Sequence, residues 1–218
     1  MARLAFILAL LFPVVGAFAD TCDVVGAELS KEDDFTEAYA LAKSLSKVWH
    51  RTMWVGIRPY SDHYDQVEGV LTEFGFAPGT GARSNRLHVA TRLHDVIEDT
   101  DTTLPQLEAL FARNITRLVD AVTEVKSRNR YEPVLNELAR RATYEKILSD
   151  PDGVVLKLAD RIANMRSYHG DGKSPQHYVD LYPEFRKALY REGQADAMWK
   201  ELDRLVANSP RLARERSK

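Results

Sequence analysis

Cysteine is almost missing from this chain: Cys22 is the single thiol among 218 residues. One thiol closes no internal disulfide, so the fold is not a disulfide scaffold, and a multi-cysteine zinc site is excluded with it. Net charge is missing too. Thirty basic residues against 32 acidic ones leave a formal charge of −2, so no basic excess points to a nucleic-acid polymer as partner. No stretch alternates apolar and polar residues with β-branched enrichment, the pattern of a convincing strand. Neither an internal repeat nor a low-complexity segment is present. A long apolar run occurs only at the N-terminus, where Arg3 precedes Leu4 to Val15 and Ala17-Phe18-Ala19 sets small residues before Asp20. That is the tripartite pattern of a cleaved secretory signal. The run is short for a bilayer and carries Pro13, whereas a spanning helix needs about twenty apolar residues. We therefore expect residues 1–19 to be removed, leaving residues 20–218 as one exported domain, periplasmic or secreted, with no stable membrane association; the alternatives are an uncleaved anchor, a buried N-terminal helix, or, without export, a cytoplasmic protein.

What remains is 44% hydrophobic and 28% charged, an ordinary globular composition sufficient for one core. Helical periodicity runs through it. Ser30 with Asp33 and Asp34 caps a helix continuing through Ala38, Leu41, Ala42, Leu45 and Val48. A second starts at Tyr60 and runs through Val67, Val70, Leu71 and Phe74, followed by a glycine-rich loop from Gly75 to Gly81. Further helices are expected at 104–111, 115–125, 134–149 and 153–168, with two more before a basic tail from Arg211 to Lys218. The fold class is all-α, a helical bundle of about eight to ten helices.

The centre of the chain concentrates its chemistry. Leu87, Ala90, Leu93, Val96 and Ile97 recur at helical spacing, which predicts one helix ending near Asp99, with a turn over Thr100 to Thr103. On that helix His94, Asp95, Glu98 and Asp99 would crowd one side within about a turn. Three carboxylates so close repel one another unless a cation neutralises them, and a divalent metal is the simplest resident.

The run His94-Asp95-Val96-Ile97-Glu98-Asp99-Thr100-Asp101-Thr102-Thr103 resembles the metal-binding core of the HD-domain phosphohydrolases, and in particular the hydrolase domain of the RelA/SpoT alarmone enzymes and their small stand-alone relatives. Tyr60-x-x-His63-x-x-x-Val67 resembles the family's first-histidine motif. Val155-Leu156-Lys157-Leu158-Ala159-Asp160-Arg161-Ile162-Ala163-Asn164-Met165-Arg166-Ser167 is a near copy of its second signature. Alone, His63 would pass for a surface histidine and Asp160 for a salt-bridge partner of Lys157 or Arg161; the joint pattern carries the reading.

The resemblance implies His63, His94, Asp95 and Asp160 as metal ligands. Two imidazoles and two carboxylates suit Mn²⁺, Fe²⁺ or Zn²⁺, and the resemblance favours Mn²⁺. It assigns Glu98 and Asp99 to catalysis, with Glu98 as the first choice for base or positioning group toward a water acidified by the metal. It assigns Asn164 and Ser167 to the nucleotide sugar and phosphate, with serine where the family has threonine, and leaves Lys157, Arg161 and Arg166 as candidate phosphate partners. The family's Arg-Lys pair after an upstream histidine is missing from His50-Arg51-Thr52-Met53-Trp54-Val55-Gly56-Ile57-Arg58. Arg51, Trp54 and Arg58 are the candidates to take its place, with an indole stacking on the base. His88 matches no ligand position and is read as structural. The implied activity is removal of the 3′-pyrophosphate from (p)ppGpp-like alarmones, a small phosphorylated nucleotide being the partner. The alternatives are another phosphorylated nucleotide such as NADPH or ppApp, or a non-catalytic nucleotide-binding protein.

Overall fold

The computed structural model describes residues 32–50, 54–55, 58–129, 131–170 and 176–209. The leader at 1–19, the Ser30 cap, Arg51 and the basic tail lie outside the described residues, as do the side chains of Trp54 and Arg58. The described chain is helical: α1 (Glu32–Trp49), α2 (Tyr60–Glu73), α3 (Ala82–Thr91), α4 (Val96–Asp99), α5 (Leu104–Glu108), α6 (Arg113–Val122), α7 (Pro133–Leu148), α8 (Gly153–Gly170), α9 (Gln176–Leu189) and α10 (Asp196–Ala207). None of these helices is long and apolar enough to cross a membrane. One small departure from helix stands between α1 and α2. Strands β1 (Trp54–Val55) and β2 (Arg58–Pro59) pair antiparallel, Trp54 opposite Pro59 and Val55 opposite Arg58. Two residues per strand are too few to leave an alternating signature in sequence.

Helix α8 is the hub, packing against α2, α6, α7, α9 and α10. Its apolar residues go round the helix: Val154, Val155, Leu156, Leu158, Ala159, Ile162, Ala163 and Met165 are all buried, as befits a helix enclosed by others. Its start is fixed by close approach. A Cβ on Gly153 would lie 2.2 Å from the carbonyl oxygen of Ile147 in α7, so only glycine lets the two helices meet there. Arg86 of α3 ties the same corner, donating from Nη1 to Asp150 at 3.0 Å and to Asp152 at 2.8 Å.

The expected single helix from 87 to 99 is broken. Helix α3 stops at Thr91 and α4 starts at Val96. The amides between them switch to three-residue spacing, Leu93 to Ala90 at 3.0 Å and Val96 to Leu93 at 3.0 Å. The cause is a side chain. His94 Nδ1 donates to the carbonyl of Thr91 at 2.7 Å, the acceptor that a continuing helix would offer to the Asp95 amide. His94 and Asp95 thus sit in a buried turn, not on the face of a helix.

Arg92, in the same turn, is 2% exposed. Its guanidinium donates to Glu68 and Asp65 of α2 and, at 3.1 Å, to the Tyr39 hydroxyl of α1. That network clamps the turn onto the helix that carries His63. His88 is structural, as read: Nε2 donates to the Phe76 carbonyl at 2.7 Å and pins the loop after α2.

Candidate functional site

Three structural elements bring the candidate ligands together. Helix α2 buries His63, Tyr64, Val67, Val70 and Leu71 at helical spacing, which turns His63 inward. The turn supplies His94 and Asp95, and α8 supplies Asp160. Donor atoms of His63, His94 and Asp160 all lie within 4.8 Å of one another. Asp160 Oδ1 is 3.2 Å from His63 Nε2 and 3.8 Å from His94 Nε2. Asp95 adjoins them: its Oδ2 is 3.0 Å from His94 Nε2 and 3.8 Å from His63 Nε2, and it accepts from the Tyr60 hydroxyl.

The tautomer of His94 tests whether a cation fits. Since Nδ1 spends its proton on Thr91, a neutral ring turns the lone pair of Nε2 toward the carboxylates, and that fully buried atom makes no hydrogen bond. A lone pair facing carboxylate oxygens is repulsive unless positive charge lies between them. Burial opposes charge on His94, yet Asp95 and Asp160 outweigh it and hold its pKa well above the ordinary value. Burial would likewise raise Asp160, but Lys157 and the imidazoles outweigh it and hold that carboxyl well below the usual range. Nitrogen and hard-oxygen donors gathered this way suit a first-row divalent metal, so these residues fit one.

A cavity of about 280 Å³ opens beside the cluster. Its lining comes from α2 (Tyr60, His63), from the turn and α4 (Asp95, Glu98, Asp99), from Glu124 after α6, from α8 (Lys157, Asp160, Arg161, Asn164), and from Tyr178 of α9. Burial pushes the Glu98 carboxyl up to about 7, against the pull of Lys157. The Glu124 amide donates to Glu98 Oε1 at 2.7 Å, and Lys126 donates to the Glu98 carbonyl at 2.6 Å, so that residue is held from both ends. A group that titrates near neutrality beside a candidate cation site can accept a proton there. Lys157 is buried, its amine 3.5 Å from Asp160 Oδ2.

Other expected contacts divide. Asn164 lines the cavity and donates to Asp160 Oδ1 at 2.6 Å. Arg161 lines it too, with its guanidinium stacked 3.8 Å over the Phe185 ring and Nε and Nη1 buried without hydrogen bonds. Ser167 turns away, donating to Gln66 at 2.6 Å. Arg166 is engaged elsewhere, with Glu73 at 2.6 Å and Glu201 at 2.8 Å. Two groups carry roles that sequence reasoning left unassigned. Tyr60 braces Asp95, and the buried His50 stacks on Tyr60 at 4.6 Å with Nε2 4.0 Å from Asp99. For Tyr60 the signal was its place one helical turn before His63.

Comparison with known proteins places this geometry among relatives. Guanosine-3′,5′-bis(diphosphate) 3′-pyrophosphohydrolase MESH1 of Homo sapiens is 34% identical over 131 residues, covering 58% of this chain and 66% of that protein. The Mus musculus protein of the same name is 33% identical over 108 residues, covering 50% and 55%. A probable guanosine-3′,5′-bis(diphosphate) 3′-pyrophosphohydrolase of Synechocystis is 34% identical over 119 residues, 54% of this chain but 14% of the longer protein. The chain therefore spans less than two thirds of each of these relatives. A solved metazoan ortholog of SpoT, described as hydrolysing ppGpp, superposes with a TM-score of 0.58 at 21% identity over 87% of this chain and 96% of that one, a likeness of fold. The HD-domain profile matches residues 38–187, a span that takes in His63, the turn with His94 and Asp95, and Asp160. The chain belongs to the HD-domain family.

Proposed function

We propose that the chain is a metal-dependent phosphohydrolase that removes the 3′-pyrophosphate from guanosine tetra- and pentaphosphate. The observation that carries this reading is the buried His94 Nε2, which makes no hydrogen bond and faces His63, Asp95 and Asp160 beside a carboxyl, Glu98, that titrates near neutrality. The names of the animal and cyanobacterial relatives supply the substrate class.

His63, His94, Asp95 and Asp160 would hold the cation, for which Mn²⁺ is our first assignment. When bound, such a cation acidifies a water and polarises a phosphoryl oxygen. Glu98 takes the proton of the attacking water, and its fixed position between the Glu124 amide and Lys126 keeps its carboxylate aimed. Water attacks phosphorus, the bond from phosphorus to the ribose 3′-oxygen breaks, and pyrophosphate leaves while the ribose oxygen gains a proton. Asp99, backed by His50, orients the water. Asn164 and Arg161 meet the sugar and phosphate. Lys157 balances the carboxylates around it.

The test is release of pyrophosphate from ppGpp by the purified protein after chelation and add-back of Mn²⁺, Fe²⁺ or Zn²⁺, with Asp95→Ala as control. Turnover requiring both metal and Asp95 is expected. Metal binding without turnover on ppGpp would overturn the substrate assignment.

A further inference from the structure

Helix α7 is buried at one end only. Thr143, Tyr144 and Ile147 pack inside, whereas the first turns stand in solvent. One stripe of that end is apolar. Val134, Leu135 and Leu138 are 61%, 38% and 56% exposed, and their spacing of three and four residues lines them up as one stripe. Exposed apolar residues scattered singly mean little, but a contiguous stripe marks a surface that another body covers.

The charges beside the stripe say what fits it. Glu137 and Arg141 lie four residues apart on one flank, and they pair within the helix. In an antiparallel helix pair, residues on the same flank of the two helices face each other. A two-fold axis at Ala139 then sets Glu137 of one copy against Arg141 of the other, twice. The two Leu138 side chains then flank the axis, each one residue from it. A parallel pair would lose this charge match. We propose that the N-terminal end of α7 is a homodimer interface, taking a second copy of this chain in antiparallel register about Ala139.

The interface would sit close to the site. Helix α7 follows directly on the segment whose Glu124 amide and Lys126 hold Glu98, and the Val125 amide donates to Thr143 of α7 at 2.9 Å. A stripe this short covers less than the roughly 800 Å² per partner of a standard interface, so association is expected at micromolar concentration, not below.

Sedimentation of the full chain between about 1 and 100 µM tests the proposal. The wild type is expected to pass from monomer to dimer over that range. Leu138→Glu is expected to remain monomeric, with thermal stability unchanged because the side chain is exposed. Glu137→Arg and Arg141→Glu each place like charges on the flank, and each alone is expected to weaken association at least tenfold. An equimolar mixture of those two variants is expected to recover a dimer, since an all-basic flank then meets an all-acidic one. A monomeric wild type, a dimer that survives Leu138→Glu, or a mixture that fails to associate would each overturn the proposal. In the last two cases, association runs through another surface or another register.

Discussion

Arg92 grips Glu68 at two points, Nε donating to one carboxylate oxygen at 2.7 Å and Nη2 to the other. The pair joins the turn that bears His94 and Asp95 to the helix that bears His63, so its geometry sets the spacing of the candidate ligands. Replacing Arg92 by methionine leaves Glu68, 12% exposed, without its cation. Removing one partner of such a pair costs about 3–5 kcal/mol. Urea denaturation of Arg92→Met is expected to show a loss of that order. The double variant Arg92→Met/Glu68→Gln should recover at least half of it, since the stranded charge is then gone.

Metal should act as a stabilising ligand. A cation bound only by the folded chain, present at a hundred times its dissociation constant, adds about 2.7 kcal/mol. Added Mn²⁺ is expected to raise the melting temperature of the wild type by several degrees and chelator to reverse it. In Asp160→Asn and His94→Gln the shift should be absent or strongly reduced. A full shift in either variant would place the cation elsewhere.

Glu98 should trade stability for function. Its folded-state pKa is raised from about 4.5 to about 7, so the stability it contributes is whole below the unfolded value and is lost as pH rises through 7. At pH 8 the buried carboxylate is therefore a cost, of the order of 1–2 kcal/mol after discounting for its partial exposure. Glu98→Gln is expected to melt higher than the wild type at pH 8 and no higher at pH 4. It should lose turnover by a factor of about 100 or more. Wild-type turnover should fall as pH drops through 7, or somewhat lower once the cation adds its positive charge.

Lys157 pulls the Glu98 pKa down, opposing the burial that raises it. Lys157→Met is expected to move the acid limb of the pH profile upward and to weaken metal binding through Asp160, 3.5 Å away. An unmoved profile would mean that Glu98 is not the group that titrates.

Ser167 makes its hydrogen bond to Gln66 and stays off the cavity lining. Ser167→Ala should leave KM within about twofold, whereas Asn164→Ala should raise it tenfold or more.

The helices around the site were legible because their periodicity is strong. Tyr60 to Phe74 and Gly153 to Tyr168 match α2 and α8 to within two residues. The residues that gather at the cluster, His63, His94, Asp95 and Asp160, were legible as motif positions, since each lies in a signature of fixed spacing. The broken helix was not. Leu87, Ala90, Leu93 and Val96 are all fully buried and keep the apolar rhythm across the break, because the turn packs into the same core as the helices on either side. What ends α3 is a ring nitrogen taking one carbonyl, which no hydrophobic pattern records. Arg166 misled for a different reason: its partner Glu73 lies 93 residues away, so its place in the second signature alone suggested a phosphate partner.

Gly153 gives the molecule a point of intolerance remote from the chemistry. It touches no candidate ligand, yet any side chain there would drive α7 and α8 apart at the corner from which α8 carries Lys157, Asp160, Arg161 and Asn164 inward. In a library of all single substitutions, position 153 would score with the active-site residues when ranked by activity, and separate from them when ranked by the amount of folded protein recovered.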